Sequence, residues 1–189
     1  MPSIYEDTEE GRNTERADFP GFPSADFEKA GREQLSYLLL AGLNPDSRLV
    51  DVGCGVLRPG YWLIHFLDSG CYFGIEPHKG RLEMGVNIIL EPEVLKAKRP
   101  RFDTNPHFDT SVFGEKFDFF LAYSIWTHAS KRQIQTMLDS FLRDSTEGGI
   151  FLTSYCRQAV RILTTWAMAG TGPVTSRTCP VAFITVVAG

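Results

Sequence analysis

Short apolar runs alternate with amphipathic ones along most of this chain. Residues 25–43 (ADFEKAGREQLSYLLLAGL) place Leu35, Leu38 and Leu39 at helical spacing, with Ser24 set to cap the start and Gly42 near the end. Arg48 to Asp51 reads as a short strand that closes on an acid and runs into the glycines of VDVGCG. PGYWLIHFLDSG predicts a helix buried on most of its surface, with Pro59 in its first turn. CYFGIEP is a second strand, and it too closes on an acid, Glu76. KGRLEMGVNIILEPEV is a helix broken near Pro92, and KAKRPRF an exposed basic connection. A third strand is expected around residues 102–109, and KFDFFLAYS is a fourth. In SKRQIQTMLDSFLRD, Ile134, Met137, Leu138, Phe141 and Leu142 recur at i, i+3, i+4, i+7 and i+8, the mark of an amphipathic helix. Glu147-Gly148-Gly149 then turns the chain into IFLTSY, a fifth strand.

Strands alternating with helices build βαβ units, so the chain predicts an α/β fold whose mostly parallel sheet is covered on both faces. A length of 189 residues suits one domain with a real core. The residues divide into a polar, then Pro/Gly-rich segment 1–24, expected to be flexible, a core over 25–155, and an atypical segment 156–189. From Phe151 onward there is no Asp or Glu; RQAVRILTTWAMAG predicts a helix, GTGPVTSRTCP a loop and VAFITVVA a strand.

The net charge of −4 creates no strong field for nucleic acid or an anionic membrane. Cys54, Cys71, Cys156 and Cys179 are too scattered for a C-x-x-C motif, no His cluster joins them, and no metal is expected. Reduced thiols, no leader-like start and no apolar run long enough to span a bilayer point to a cytoplasmic protein.

The chemistry is expected where strands end. In an open parallel sheet, ligands bind beyond the carboxyl ends of the strands. Asp51 stands there, Gly53 and Gly55 let a ligand approach the backbone, and the next helix points its free N–H groups at the same place. A dinucleotide needs G-x-G-x-x-G, and the third position here is Arg58. S-adenosylmethionine carries a sulfonium and an amino-acid head but no phosphate, and carboxylates such as Asp51 and Glu76 suit it. Arg58 itself has two readings, a partner for a cofactor carboxylate or a surface or capping ion pair.

VDVGCG, FGIEP, KFDFFLAYSIWTH and EGGIFLTSY resemble, in order and spacing, the motifs of class I S-adenosylmethionine-dependent methyltransferases, from about residue 30 to 155. The resemblance implies a Rossmann-like three-layer sandwich with S-adenosyl-L-methionine as cofactor. By it, Asp51, Gly53, Cys54 and Gly55 would line the methionine moiety and Glu76 would bind the ribose hydroxyls. Asp109, near the end of the third strand, would meet the adenine edge. Tyr123 and Ser124 would lie near the sulfonium and the acceptor, and His128 is the candidate for proton removal.

The sequence also departs from the family. Leu57 stands where many members have a third glycine, and AYSIWTH replaces the N/D-P-P-Y/F of many nucleic-acid and protein methyltransferases, favouring a small-molecule acceptor. The family's sheet usually ends in an antiparallel hairpin, for which the residues after Tyr155 leave too little room. The C-terminal strands are therefore expected to be incomplete or atypical, and a homodimer or a strand swap would cover the exposed edge. Two other functions compete: a pyridine-nucleotide oxidoreductase, and a non-catalytic binding or assembly module that keeps the fold.

Overall fold

The computed structural model describes residues 27–126, 129–156 and 181–187. The flexible segment 1–24, the Ser24 cap, His128, the helix expected over 157–170 and the loop after it lie outside the described residues.

Helix α1 (Phe27–Leu40) precedes β1 (Leu49–Val52), α2 (Arg58–Phe66), β2 (Tyr72–Ile75) and α3 (Lys79–Met84). There follow α4 (Pro92–Lys98), β3 (Arg101–Asp103), β4 (Phe117–Ala122), α5 (Lys131–Asp144), β5 (Ser145–Cys156) and β6 (Val181–Val187). The sheet runs β3-β2-β1-β4-β5-β6. β1 to β5 are mutually parallel, and β6 returns antiparallel to β5, with Ile184 opposite Thr153. The result is the α/β sandwich with a mostly parallel sheet that the alternation of patterns implied.

Alternation along each strand separates two cores. Leu49 and Tyr72 face one layer with Leu38, Leu63 and Ile64 of α1 and α2. Val50, Val52, Phe73 and Phe120 face the other with Met137 and Phe141 of α5. β1 and β2 are buried at every position, so they lack the polar alternation of a one-sided strand. The second layer is built of phenylalanines: Phe73, Phe117, Phe120 and Phe141 meet edge-on at centroid distances of 5.0, 5.4 and 5.2 Å in succession. Ser130 and Gln133 form a reciprocal capping box that starts α5.

Several boundaries move. The third strand is Arg101–Asp103, ending six residues before Asp109. The broken helix is α3, one π-helical turn over Gly85–Ile89, and α4. The basic KAKRPR stretch is no free connection: Lys98 donates to the Leu67 carbonyl, Arg99 to Ser69, and Arg101 to Glu115 and the Phe113 carbonyl. Glu147-Gly148-Gly149 lies inside β5, where the register with β4 shifts between Phe117 and Phe119 and Gly148 takes φ 75°. Leu39 and Leu142 keep helical spacing yet are exposed, because each lies off the stripe that α1 and α5 turn inward.

Candidate functional site

β1, β2 and β4 end side by side, and the chain between β1 and α2 forms a loop over them. Gly53 N and Cys54 N both donate to the Ile75 carbonyl, at 2.7 and 3.1 Å, so the loop is stitched to the end of β2. Gly53 and Gly55 have φ 78° and 58°, a region that only glycine enters freely. Leu57 has φ 63° as well, so the loop keeps a left-handed residue at the position where the resemblance expects glycine. Leu57 is completely buried, and its side chain lies against Gly60 of α2 and Gly85. Its packing offsets a backbone cost of roughly 1–2 kcal/mol.

The two glycines differ in what stands above them. A Cβ on Gly53 would come within 2.2 Å of Ile125 Cδ1, so the segment after β4 already lies on that residue. Among the described residues, a Cβ on Gly55 would meet nothing within 4 Å. The open side of the loop is at Gly55, and that is where a ligand can reach the backbone.

Both predicted acids are here, with different neighbours. Asp51 is 1% exposed, and its Oδ2 accepts from the Tyr72 hydroxyl at 2.9 Å. Burial pushes its carboxyl up to about 7, with Glu76 adding to the effect while the Tyr72 hydroxyl and Arg58 oppose it. Glu76 is 6% exposed, and each of its oxygens accepts from one backbone amide: Oε2 from Gly55 N at 3.0 Å, Oε1 from His78 N at 2.8 Å. Each oxygen keeps a second lone pair for a hydroxyl donor.

Cys54 is buried, and its Sγ fills the space beside Gly74, where a Cβ would lie 2.9 Å away. Burial, then Asp51 and Glu76, pushes the thiol well above its usual range. Its side chain belongs to the core, so only its backbone can line a ligand. Tyr123 is half-buried at the end of β4, with the Arg58 guanidinium 5.7 Å above its ring. Ser124 is left-handed at φ 59°, and its N–H donates to Ser154 Oγ at 2.6 Å. That bond ties the segment after β4 to β5.

Asp109 lies in the connection after β3 and not on the strand. It caps a 3-10 turn over Thr110–Phe113, accepting from Ser111 N, and it pairs with Arg143 of α5 at 2.6 Å. Arg143 also grips Asp144, which accepts from the Thr110 hydroxyl. The acid at the end of β3 is Asp103, and Asn105 bridges it to the Asp109 backbone. Asp109 therefore braces the connection after β3 against α5. Tyr72 is the residue that sequence reasoning missed. Its signal was the period of two, which puts Tyr72 and Asp51 on one face of adjacent strands.

Among the described residues no group of three His, Cys, Asp or Glu side chains could hold a metal ion. Among them too, no helix is long and apolar enough to cross a membrane.

No protein-family model matches the chain, and no curated protein matches it in sequence. Solved structures do match. Magnesium protoporphyrin IX methyltransferase ChlM of Synechocystis PCC 6803, solved with bound SAM, is 15% identical with a TM-score of 0.58, over 82% of this chain and 74% of that one. The glycopeptide N-methyltransferase MtfA, complexed with S-adenosylmethionine, is 11% identical with a TM-score of 0.58, over 83% and 66%. An S-adenosylmethionine-dependent methyltransferase of Clostridium acetobutylicum ATCC 824 is 12% identical with a TM-score of 0.55, over 77% and 55%. With its strand order, its glycine loop and its two strand-end acids, the chain has the class I methyltransferase fold.

Proposed function

We propose that this chain is an S-adenosylmethionine-dependent methyltransferase acting on a small-molecule acceptor in the cytoplasm. The observation that carries the reading is the pair of buried acids, Asp51 and Glu76, flanking a glycine loop whose open side is Gly55. That set matches a cofactor with an ammonium group, ribose hydroxyls and a positive charge. Nothing in the structure or the comparisons supports the pyridine-nucleotide alternative.

In this reading Asp51 accepts from the cofactor ammonium, the backbone of Gly53, Cys54 and Gly55 lines the methionine chain, and Glu76 accepts from the ribose hydroxyls. Asp109 acts through Arg143, holding the connection after β3 beside the adenine end. Tyr123 and Ser124 stand between cofactor and acceptor. Bound there, S-adenosylmethionine supplies a methyl group already activated by its sulfonium, so the protein's share is alignment and exclusion of water. His128, just beyond the segment that lies on Gly53, takes the acceptor proton. A homodimer formed through the sheet edge completes the proposal.

Isothermal titration with S-adenosylmethionine, S-adenosylhomocysteine and NAD tests it. The wild type is expected to bind the first two and not NAD, and Asp51→Ala with Glu76→Ala to bind none. A folded wild type that binds neither sulfur nucleoside would overturn the reading; binding with no turnover on any acceptor would favour the non-catalytic module.

A further inference from the structure

Tyr72 opens β2, and its pairing with Leu49 puts it on the face of the sheet that Asp51 shares. Its ring packs edge-on against Phe102 of β3, with centroids 6.0 Å apart. Packing does not explain its hydroxyl, because a phenylalanine would meet the same neighbours. The oxygen needs space that α2 supplies: a Cβ on Gly60 would lie 2.6 Å from it. Glycine is a poor helix former, so α2 is weakened to admit this one atom. A buried hydroxyl must also be paired. Its partner is Asp51 Oδ2 at 2.9 Å, and the two residues are 2% and 1% exposed. Burial, then the charge of Asp51, pushes the phenol well above its usual range, so the hydroxyl stays a donor.

The two oxygens of Asp51 are thereby made unequal. Among the described residues nothing donates to Oδ1. It is not sealed either: the enclosed polar atoms without a partner belong to Gln34, Trp62, Glu91, Trp126 and Ser140. While Tyr72 donates to Oδ2, a proton on the carboxyl sits on Oδ1. The other titratable groups around Asp51, among the described residues, are Cys54 of its own loop, Glu76 beyond β2 and Arg58 of α2, and β4 places the apolar Leu121 beside it. Burial lifts the carboxyl to about 7, and the Tyr72 hydroxyl draws it down by bonding the charged form.

We propose that Tyr72 is a positioning residue of this site: its hydroxyl holds Oδ2, so that Oδ1 is the oxygen that gives up a proton when the cofactor ammonium arrives. The proton leaves to solvent, and an ammonium N–H takes its place on Oδ1. Tyr72 itself touches no ligand and acts through Asp51. The inference rests on the methyltransferase reading, in which Asp51 accepts from that ammonium.

The test titrates wild type and Tyr72→Phe, each checked for folding by thermal melting, between pH 5.5 and 8.5. The probes are S-adenosylhomocysteine and 5′-methylthioadenosine, which lacks the amino-acid head. Wild-type affinity for S-adenosylhomocysteine is expected to rise with pH about a midpoint near 7. Tyr72→Phe removes a hydrogen bond to the charged form, so the midpoint should move up by about one unit or more, and affinity at pH 7 should fall about tenfold. Affinity for 5′-methylthioadenosine should change with neither pH nor the variant. A midpoint that stays in place, or equal losses for the two nucleosides, means that the hydroxyl only packs, and overturns the proposal. Carbon-13 at the tyrosine Cζ reads the same link in the wild type without a mutation. One signal is expected to titrate near pH 7 and to stop titrating once S-adenosylhomocysteine is bound; the lack of such a signal also overturns the proposal. A folded wild type that binds neither nucleoside overturns the methyltransferase reading, and this inference falls with it.

Discussion

Asp51 is a carboxyl that folding places out of water, and the fold bears a penalty for its charge. Its carboxyl titrates near 7 in the folded chain against 3.8 when exposed. The folded state thus holds the proton more tightly than the unfolded one. The Asp51 contribution is intact below about pH 4, falls as pH rises from about 4 to 7, and stays low above that. Replacing it with Asn keeps an acceptor for the Tyr72 hydroxyl and removes the charge. Asp51→Asn is expected to flatten this slope and raise stability at pH 8 by a few kcal/mol, of the order that three pKa units imply. Urea denaturation at pH 5 and pH 8 measures it; equal slopes in both proteins would count against a buried charge. The same variant is expected to lose S-adenosylmethionine binding. In the wild type, binding selects the ionised carboxylate, so affinity should be weaker at pH 6 than at pH 8, with proton release seen by calorimetry in buffers of different ionisation heat.

At the scale of elements, the site depends on how closely α1, α2 and the π-helical turn press on the glycine loop. Gly31, Gly60 and Gly85 each leave room for a neighbour that a methyl group would strike: the Arg58 carbonyl, the Tyr72 hydroxyl and Leu57. Leu57 is the wedge among them. Leu57→Ala removes buried packing and leaves a β-carbon in a left-handed conformation, and it should cost about 2–4 kcal/mol. Leu57→Gly loses the same packing but relieves the backbone, so it should be about 1 kcal/mol less damaging than Ala. The reverse order in chemical denaturation would show that the left-handed conformation is not retained. Gly53→Ala meets both a φ of 78° and Ile125 at 2.2 Å, so the segment after β4 must lift off the loop. Cofactor affinity is expected to fall with it, by calorimetry on the folded variant.

The whole molecule ends its sheet in an unusual way. β6 is VAFITVV, without a charge, a proline or a glycine, and it pairs antiparallel with β5 along its whole length. Such a strand is written like an interior one, yet among the described residues it has a neighbour on one side only. Pairing of two β6 edges about a two-fold axis satisfies both copies. Light scattering should therefore show a dimer, and Ile184→Lys, which puts a charge at the middle of the strand, should shift it to monomer. A wild-type monomer at tens of micromolar would remove the homodimer from the proposal.

The periods of two and 3.6 were enough to draw most elements from the sequence by itself. So were the glycines, and the acids that close β1 and β2, because each signal lies within a few neighbouring residues. The capping box at Ser130 and Gln133 is local in the same way. What lies far apart in the chain was decided only by the tertiary structure. Tyr72 meets Asp51 because β1 and β2 pair in one particular register, and Asp109 turns to Arg143, a partner on a helix far along the chain. The sequence showed Leu57 as a missing glycine; the fold shows a left-handed leucine held by α2 and the π-helical turn. For Arg58 the fold adds what the sequence could not show, a guanidinium 5.7 Å above the Tyr123 ring. Local pattern sets which residues are buried and which end a strand, but charge pairing, strain and the open side of the loop depend on long-range packing that no short window of sequence contains.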